Sequence, residues 1–171
     1  IIGLGNPGSK YTKTRPNVGW RVIDAFLSDH ENDFETWQEK KSLMSIMSEG
    51  LVDGKKILLI KPQTYMNSSG EAVQKVLNYY KLQPREAWVV YDELDIPFGS
   101  YRVRQGGSSA GHNGVKSLID LLGQDGFFRI RVGIGKADEE TNGISLPVDK
   151  YVLQNFSEEE NNELEKAVIP M

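Results

Sequence analysis

Short apolar runs alternate along this chain with stretches whose apolar residues recur every three or four positions, and no other feature limits its fold so strongly. Residues 1–4, 56–60, 87–91 and 128–134 read as buried strands, and 101–105 as a further strand. Between them, residues 18–28 place Val22, Ile23, Phe26 and Leu27 on one helical face, and 68–80 and 113–122 follow the same period. Such alternation belongs to α/β proteins. One pair departs from it: residues 43–52 and 56–60 flank Asp53-Gly54, a hairpin signal because a type I′ turn needs positive φ at both central residues. The expected fold is therefore a single-domain α/β three-layer sandwich over residues 1–171, with a mixed, mainly parallel twisted sheet and helices on both faces. Ser68-x-x-Glu71 and Ser157-x-x-Glu160 read as capping boxes, and Gly123 as a helix stop. The chain starts without Met inside a strand pattern and stops just after a helical one, so both ends are expected to be incomplete.

Composition narrows the chemistry. There is no cysteine and only two histidines, His30 and His112, so disulfides, thiolate metal sites and histidine-rich metal centres are excluded. No apolar run approaches a membrane span and no signal segment is visible, which leads us to expect a cytoplasmic protein without a membrane partner. The net charge of −4 argues weakly against a nucleic-acid partner, but the charges are unevenly placed. Lys10, Lys13, Arg15 and Arg21 stand together without an acid. Arg102, Arg104, Lys116, Arg129, Arg131 and Lys136 are opposed only by Asp120 and Asp125. Two readings stay open at this point: scattered solvated charge, or a face positive enough to meet phosphates.

Gly3, Gly5 and Gly8 satisfy G-x-G-x-x-G, yet the context contradicts dinucleotide binding. The third glycine should open a helix at once, whereas polar residues 9–14 follow and Pro16 disfavours helical geometry at Arg15. The acidic residue expected about 20 positions on falls within a helix, near Asp24. The glycines instead suit a tight turn presenting Asn6 at the carboxyl edge of the sheet. Three more polar clusters fall near strand ends or helix starts: Thr64-Tyr65-Met66-Asn67, Asp92-Glu93-Leu94-Asp95, and "GGSSAGHNG" at 106–114. Singly, Asn67 or Asn113 could cap a helix, Asp92 form a turn, and His112 be a satisfied loop histidine. Together they describe a site of amides and one carboxylate, suited to holding a carbonyl and a water but poor in strong bases.

In order along the chain stand G-L-G-N-P-G at 3–8, T-R-x-N-V-G at 14–19, K-P-x-T-x-M-N-x-S-G at 61–70, D-E-L-D at 92–95, G-G-S-x-x-G-H-N-G at 106–114 and R-I-R-V-G-I-G at 129–135. This set resembles the bacterial peptidyl-tRNA hydrolase family over nearly the whole chain. The resemblance implies a cofactor-free, metal-free monomeric enzyme that cleaves the ester between a peptide and the 3′ ribose of tRNA. It implies that Asp92 orients a histidine base, that Asn6 distinguishes a blocked peptidyl group, and that Asn67 and Asn113 hold the peptide backbone and water. Tyr11, Tyr65 and Met66 would meet the substrate end, His112 would support binding, and Arg102, Arg104 and Lys116 would face acceptor-stem phosphates. The family's histidine in T-R-H-N is replaced here by Pro16, which has no titratable group, and activity is expected to be strongly impaired. Three accounts of Pro16 stay open: an engineered or accidental change, a natural relative that binds RNA without hydrolysis, or another group serving as base.

Overall fold

Seven strands among the described residues form one sheet in the order β2-β3-β4-β1-β5-β7-β6. They are β1 (Ile2–Gly3), β2 (Gln38–Lys40), β3 (Ser45–Val52), β4 (Lys55–Pro62), β5 (Trp88–Glu93), β6 (Tyr101–Gln105) and β7 (Phe128–Gly133). The structure, a computed structural model, describes residues 1–135 and 151–167; Lys136 lies outside them. Parallel pairing is confined to the four central strands, β4-β1-β5-β7, and each end carries an antiparallel arm. The hairpin is as the sequence implies, with φ of 51° at Asp53 and 73° at Gly54.

Among the described residues four helices cover the sheet: α1 (Val18–Asp29), α2 (Ser69–Tyr80), α3 (Asn113–Leu122) and α4 (Glu158–Ala167). The strand period of two decides which helix meets which face. Val89 and Tyr91 join Ile2 and Leu4 in a core with Val73, Val76 and Leu77 of α2 and Val115 and Leu118 of α3. Val90 belongs to the opposite core, with Val18, Val22 and Ile23 of α1, Leu164 of α4, Val132 and Ile134. Phe26 and Leu27, assigned by period to the buried face of α1, are only half-buried.

Gly3 of β1 and Gly19 of α1 are required by close packing. A Cβ on Gly19 would run into the carbonyl oxygens of Val90 and Leu4, and one on Gly3 into that of Gly19. The glycines thus let α1 lie directly against β1 and β5, a packing need rather than a pyrophosphate one. Residues Ser9–Tyr11 and Arg15–Asn17 form 3-10 turns, so no long helix follows Gly8.

One local expectation requires correction, and one strand was missed. Ser68 makes no capping bond, because Met66–Ser68 is already a 3-10 turn and Ser68 has φ −116° and ψ 13°, outside the extended region a side-chain cap needs. The strand Gln38–Lys40 was not recognisable, since its three residues are polar and sit on a sheet edge, where no apolar alternation is required.

Candidate active site

The parallel strands deliver their carboxyl ends to one edge of the sheet, where α/β proteins form their sites. Asn6 follows β1, Met66 follows β4, Asp92 lies near the end of β5, and α3 begins above them. There a cavity of about 590 Å³ is lined by Asn6, Pro16, Met66, Asp92, Glu93, Leu94, Ala110, Gly111, His112, Asn113, Val152 and Leu153. Of the residues singled out from sequence, it gathers Asn6, Pro16, Met66, Asp92, His112 and Asn113. Asn67 is not in its wall; it is exposed in the adjoining turn. A cavity of about 510 Å³ at the other end of the sheet is mainly aliphatic and aromatic, with Lys55, Lys56 and Glu86 at its polar places and no asparagine.

Asn6 is held on three sides. Its backbone N–H donates to Asn17 Oδ1 at 2.8 Å, its carbonyl accepts from Asn17 Nδ2 at 3.0 Å, and its Oδ1 accepts from the Met66 N–H at 2.9 Å. One lone pair of the side-chain oxygen is thereby used, and among the described residues Nδ2 donates to no partner. Asn17 stands immediately before α1, where its residue type suggests a cap, but it makes no capping bond. It is 1% exposed and serves Asn6 instead.

His112 is committed at both ring nitrogens. Nδ1 accepts the N–H groups of Gly114 at 3.1 Å and Val115 at 3.2 Å, making His112 the N-cap of α3. An acceptor Nδ1 places the proton on Nε2, which donates to Asp92 Oδ1 at 3.0 Å. Neither nitrogen offers a free lone pair. The helix cap is thus His112 and not Asn113, which is the first residue of α3, and Asp92 is a strand residue rather than a turn former. Tyr91 packs its ring against His112, centroids 4.7 Å apart. Burial raises the pKa of its hydroxyl, against the opposing influence of Arg129.

Around the cavity the tRNA-facing candidates divide. Tyr11 and Tyr65 come together edge to face at 6.4 Å, with Lys10 over the Tyr11 ring at 4.7 Å and Tyr65 well exposed. Arg102 and Arg104 lie on the edge strand β6, opposite Arg131 and Arg129 of β7 respectively. Directly opposed residues share a face, so the exposed Arg102 and Arg104 and the part-buried Arg131 form one patch, with Arg129 buried beside them and Glu93 at 3.6 Å from Arg131. Lys116 stands on the exposed side of α3 and pairs with Asp120 at 2.7 Å.

Sequence reasoning missed Val152 and Leu153, which reach the cavity from far along the chain. They are carried by a clamp on Arg15. Its guanidinium donates to Asn155 O at 3.0 Å, pairs with Glu160 at 2.5 Å and stacks on Tyr151. The charge cluster at Arg15 was visible in the sequence, but its partner 145 residues away was not.

The profile of the peptidyl-tRNA hydrolase family matches residues 1–170. The chain belongs to that family. It is 48% identical over 168 residues to the peptidyl-tRNA hydrolase of Bacillus subtilis, covering 98% of this chain and 85% of that one. To the peptidyl-tRNA hydrolase of a Synechocystis species it is 45% identical over 168 residues, with coverage of 98% and 82%. A crystal structure of the enzyme from Acinetobacter baumannii, 32% identical, matches with a TM-score of 0.84 over 97% of this chain and 80% of that one. Among the described residues no helix is long and apolar enough to cross a membrane.

Proposed function

We propose that this chain acts on peptidyl-tRNA, hydrolysing the ester that joins the peptide to the 3′ ribose, as a monomer that receives the acceptor stem on its arginine-bearing edge. The observation that carries this reading is the cavity itself, which brings Asn6, Asp92, His112 and Asn113 together at the carboxyl ends of β1 and β5 in a member of this family. Amides there suit the peptide carbonyls, and the patch of Arg102, Arg104 and Arg131 suits phosphates. Tyr11 and Tyr65 offer faces on which a terminal base can stack. Asn67, exposed beside Met66, would then meet the peptide at the cavity mouth.

Pro16 favours a second reading, RNA binding without hydrolysis. It lines the cavity, carries no titratable group, and stands near a histidine whose two nitrogens are both engaged. One experiment separates the accounts. Peptidyl-tRNA binding is measured by filter retention at two salt concentrations, and single-turnover ester cleavage is followed on the same samples. Both readings expect binding that weakens with salt, since phosphate contacts release counterions. Cleavage above the uncatalysed rate selects the enzyme; its absence selects the binding protein. Charge reversal at Arg104 should weaken binding more than reversal at Glu159 of α4, and equal effects would misplace the RNA face.

A further inference from the structure

Arg129 heads the fully buried side chains by volume, 2% exposed, and among the described residues no carboxylate pairs with it. A buried guanidinium without an anion is costly unless its N–H groups are otherwise met. Here the two terminal nitrogens meet backbone, while Nε is buried without a hydrogen-bond partner. Nη1 donates to Ser108 O at 2.5 Å, Nη2 donates to Gly107 O, and the guanidinium stacks on Phe127 at 4.8 Å. The planar fork of arginine can take two consecutive carbonyls at once, which a lysine ammonium cannot do in the same geometry.

Those two carbonyls belong to the middle of the glycine-rich 106–112 loop. Gly106, Gly107, Ala110 and Gly111 have φ of 68°, 104°, 47° and 85°, a left-handed path that is unfavourable for Ala110 in particular. Its other anchors are Gly106 N–H to Phe127 O at 3.1 Å, Gly107 N–H to Asp125 Oδ2 at 3.0 Å and His112 N–H to Ser109 O at 2.9 Å, with the His112 ring held at the far end by Asp92 and the start of α3. The loop ends at Ala110, Gly111, His112 and Asn113, all in the cavity wall. Arg129 also opposes the rise that burial imposes on the Tyr91 hydroxyl, and the Tyr91 ring packs on His112.

We propose that Arg129 is a positioning residue of the site: by holding the Gly107 and Ser108 carbonyls it fixes the path of the 106–112 loop, and thereby where His112 and Asn113 stand. The proposal deepens the reading of the cavity as a peptidyl-tRNA site and, for its functional arm, rests on that reading.

The test compares the parent chain with Arg129→Gln and Arg129→Lys. Long-range nitrogen–proton NMR reads the His112 ring, with the more exposed His30 as internal reference. Filter binding reads peptidyl-tRNA affinity, and urea midpoints read stability. In the parent, His112 shows the Nε2–H tautomer. In Arg129→Gln that signature broadens or shifts, and affinity falls by about ten- to a hundredfold, the usual scale when a supporting shell is removed. Arg129→Lys keeps the charge and loses the fork, so it lies between the two on both readouts; it also carries the test if Arg129→Gln does not fold. A folded variant with a lower urea midpoint but the parent's His112 spectrum and affinity overturns the proposal, leaving Arg129 merely structural. If the parent itself does not bind peptidyl-tRNA, the functional reading fails, and the His112 spectrum alone decides the positioning role.

Discussion

A single amide sets the geometry of the cavity's first loop. Asn17 occupies both backbone groups of Asn6, so Asn17→Ala leaves a part-buried donor and a part-buried acceptor without partners. The expected loss is about 1–3 kcal/mol in urea unfolding, with weaker peptidyl-tRNA binding because Asn6 loses its support. Unchanged stability would mean that water replaces the amide without cost. Pro16 belongs to the same scale. A positioned general base is typically worth about 10²–10⁴ in rate, so Pro16→His should accelerate single-turnover cleavage by that order while affinity changes little. Asp92 already accepts from His112 through one oxygen, and the new imidazole would depend on the other. If the parent cleaves as fast as Pro16→His, the proline replaces no base.

Two elements begin with the same written signal and use it differently. Ser157 and Glu160 close a reciprocal box at α4, with Glu160 N–H to Ser157 Oγ at 3.1 Å and Ser157 N–H to Glu160 Oε2 at 2.6 Å. At α2 the chain enters through a 3-10 turn, Ser69 Oγ donates to Met66 O at 2.9 Å, and Ser68 is idle as a cap. Ser157→Ala should therefore cost about 0.5–2 kcal/mol, and Ser68→Ala under about 0.5 kcal/mol, measured side by side by urea unfolding. Equal costs would show that local spacing, rather than the approach of the preceding backbone, governs the cap. Glu160 additionally holds Arg15, so its own removal would loosen Val152 and Leu153 at the cavity.

Across the whole molecule, Glu49 ties the hairpin arm to α2. Lys56, then Tyr80, holds its carboxyl below the usual value of 4.5, through contacts of 2.5 Å each. A depressed carboxylate stabilises the fold above its unfolded value and loses that contribution as pH falls through its folded one. The stability gap between the parent and Glu49→Gln should thus be present at neutral pH and close below pH 4.5. Burial, then Glu49, raises the Tyr80 hydroxyl well above 10. A raised tyrosine contributes fully below its unfolded value, so the parent should lose stability relative to Tyr80→Phe as pH rises beyond 10. Urea midpoints across the pH range check both limbs, and a gap that is flat with pH contradicts the linkage.

The alternation of strand and helix periods, the Asp53-Gly54 turn, the Gly123 stop and the ordered family motifs were all legible without coordinates, because each depends on residues within a few positions of one another. The same locality placed Asn6, Asp92, His112 and Asn113 at strand ends and helix starts, and so near one edge of the sheet. It could not tell that His112 rather than Asn113 caps α3, nor that Asp92 is bound to His112. It could not show that Asn17 serves Asn6, that Arg15 reaches Glu160, or that Arg129 lies beneath the glycine-rich loop. Periodicity and turn chemistry report only what a segment does with its own backbone. A buried polar side chain must instead satisfy its donors and acceptors with whatever the packed sheet brings within about 3 Å, and that choice is made only when the layers close.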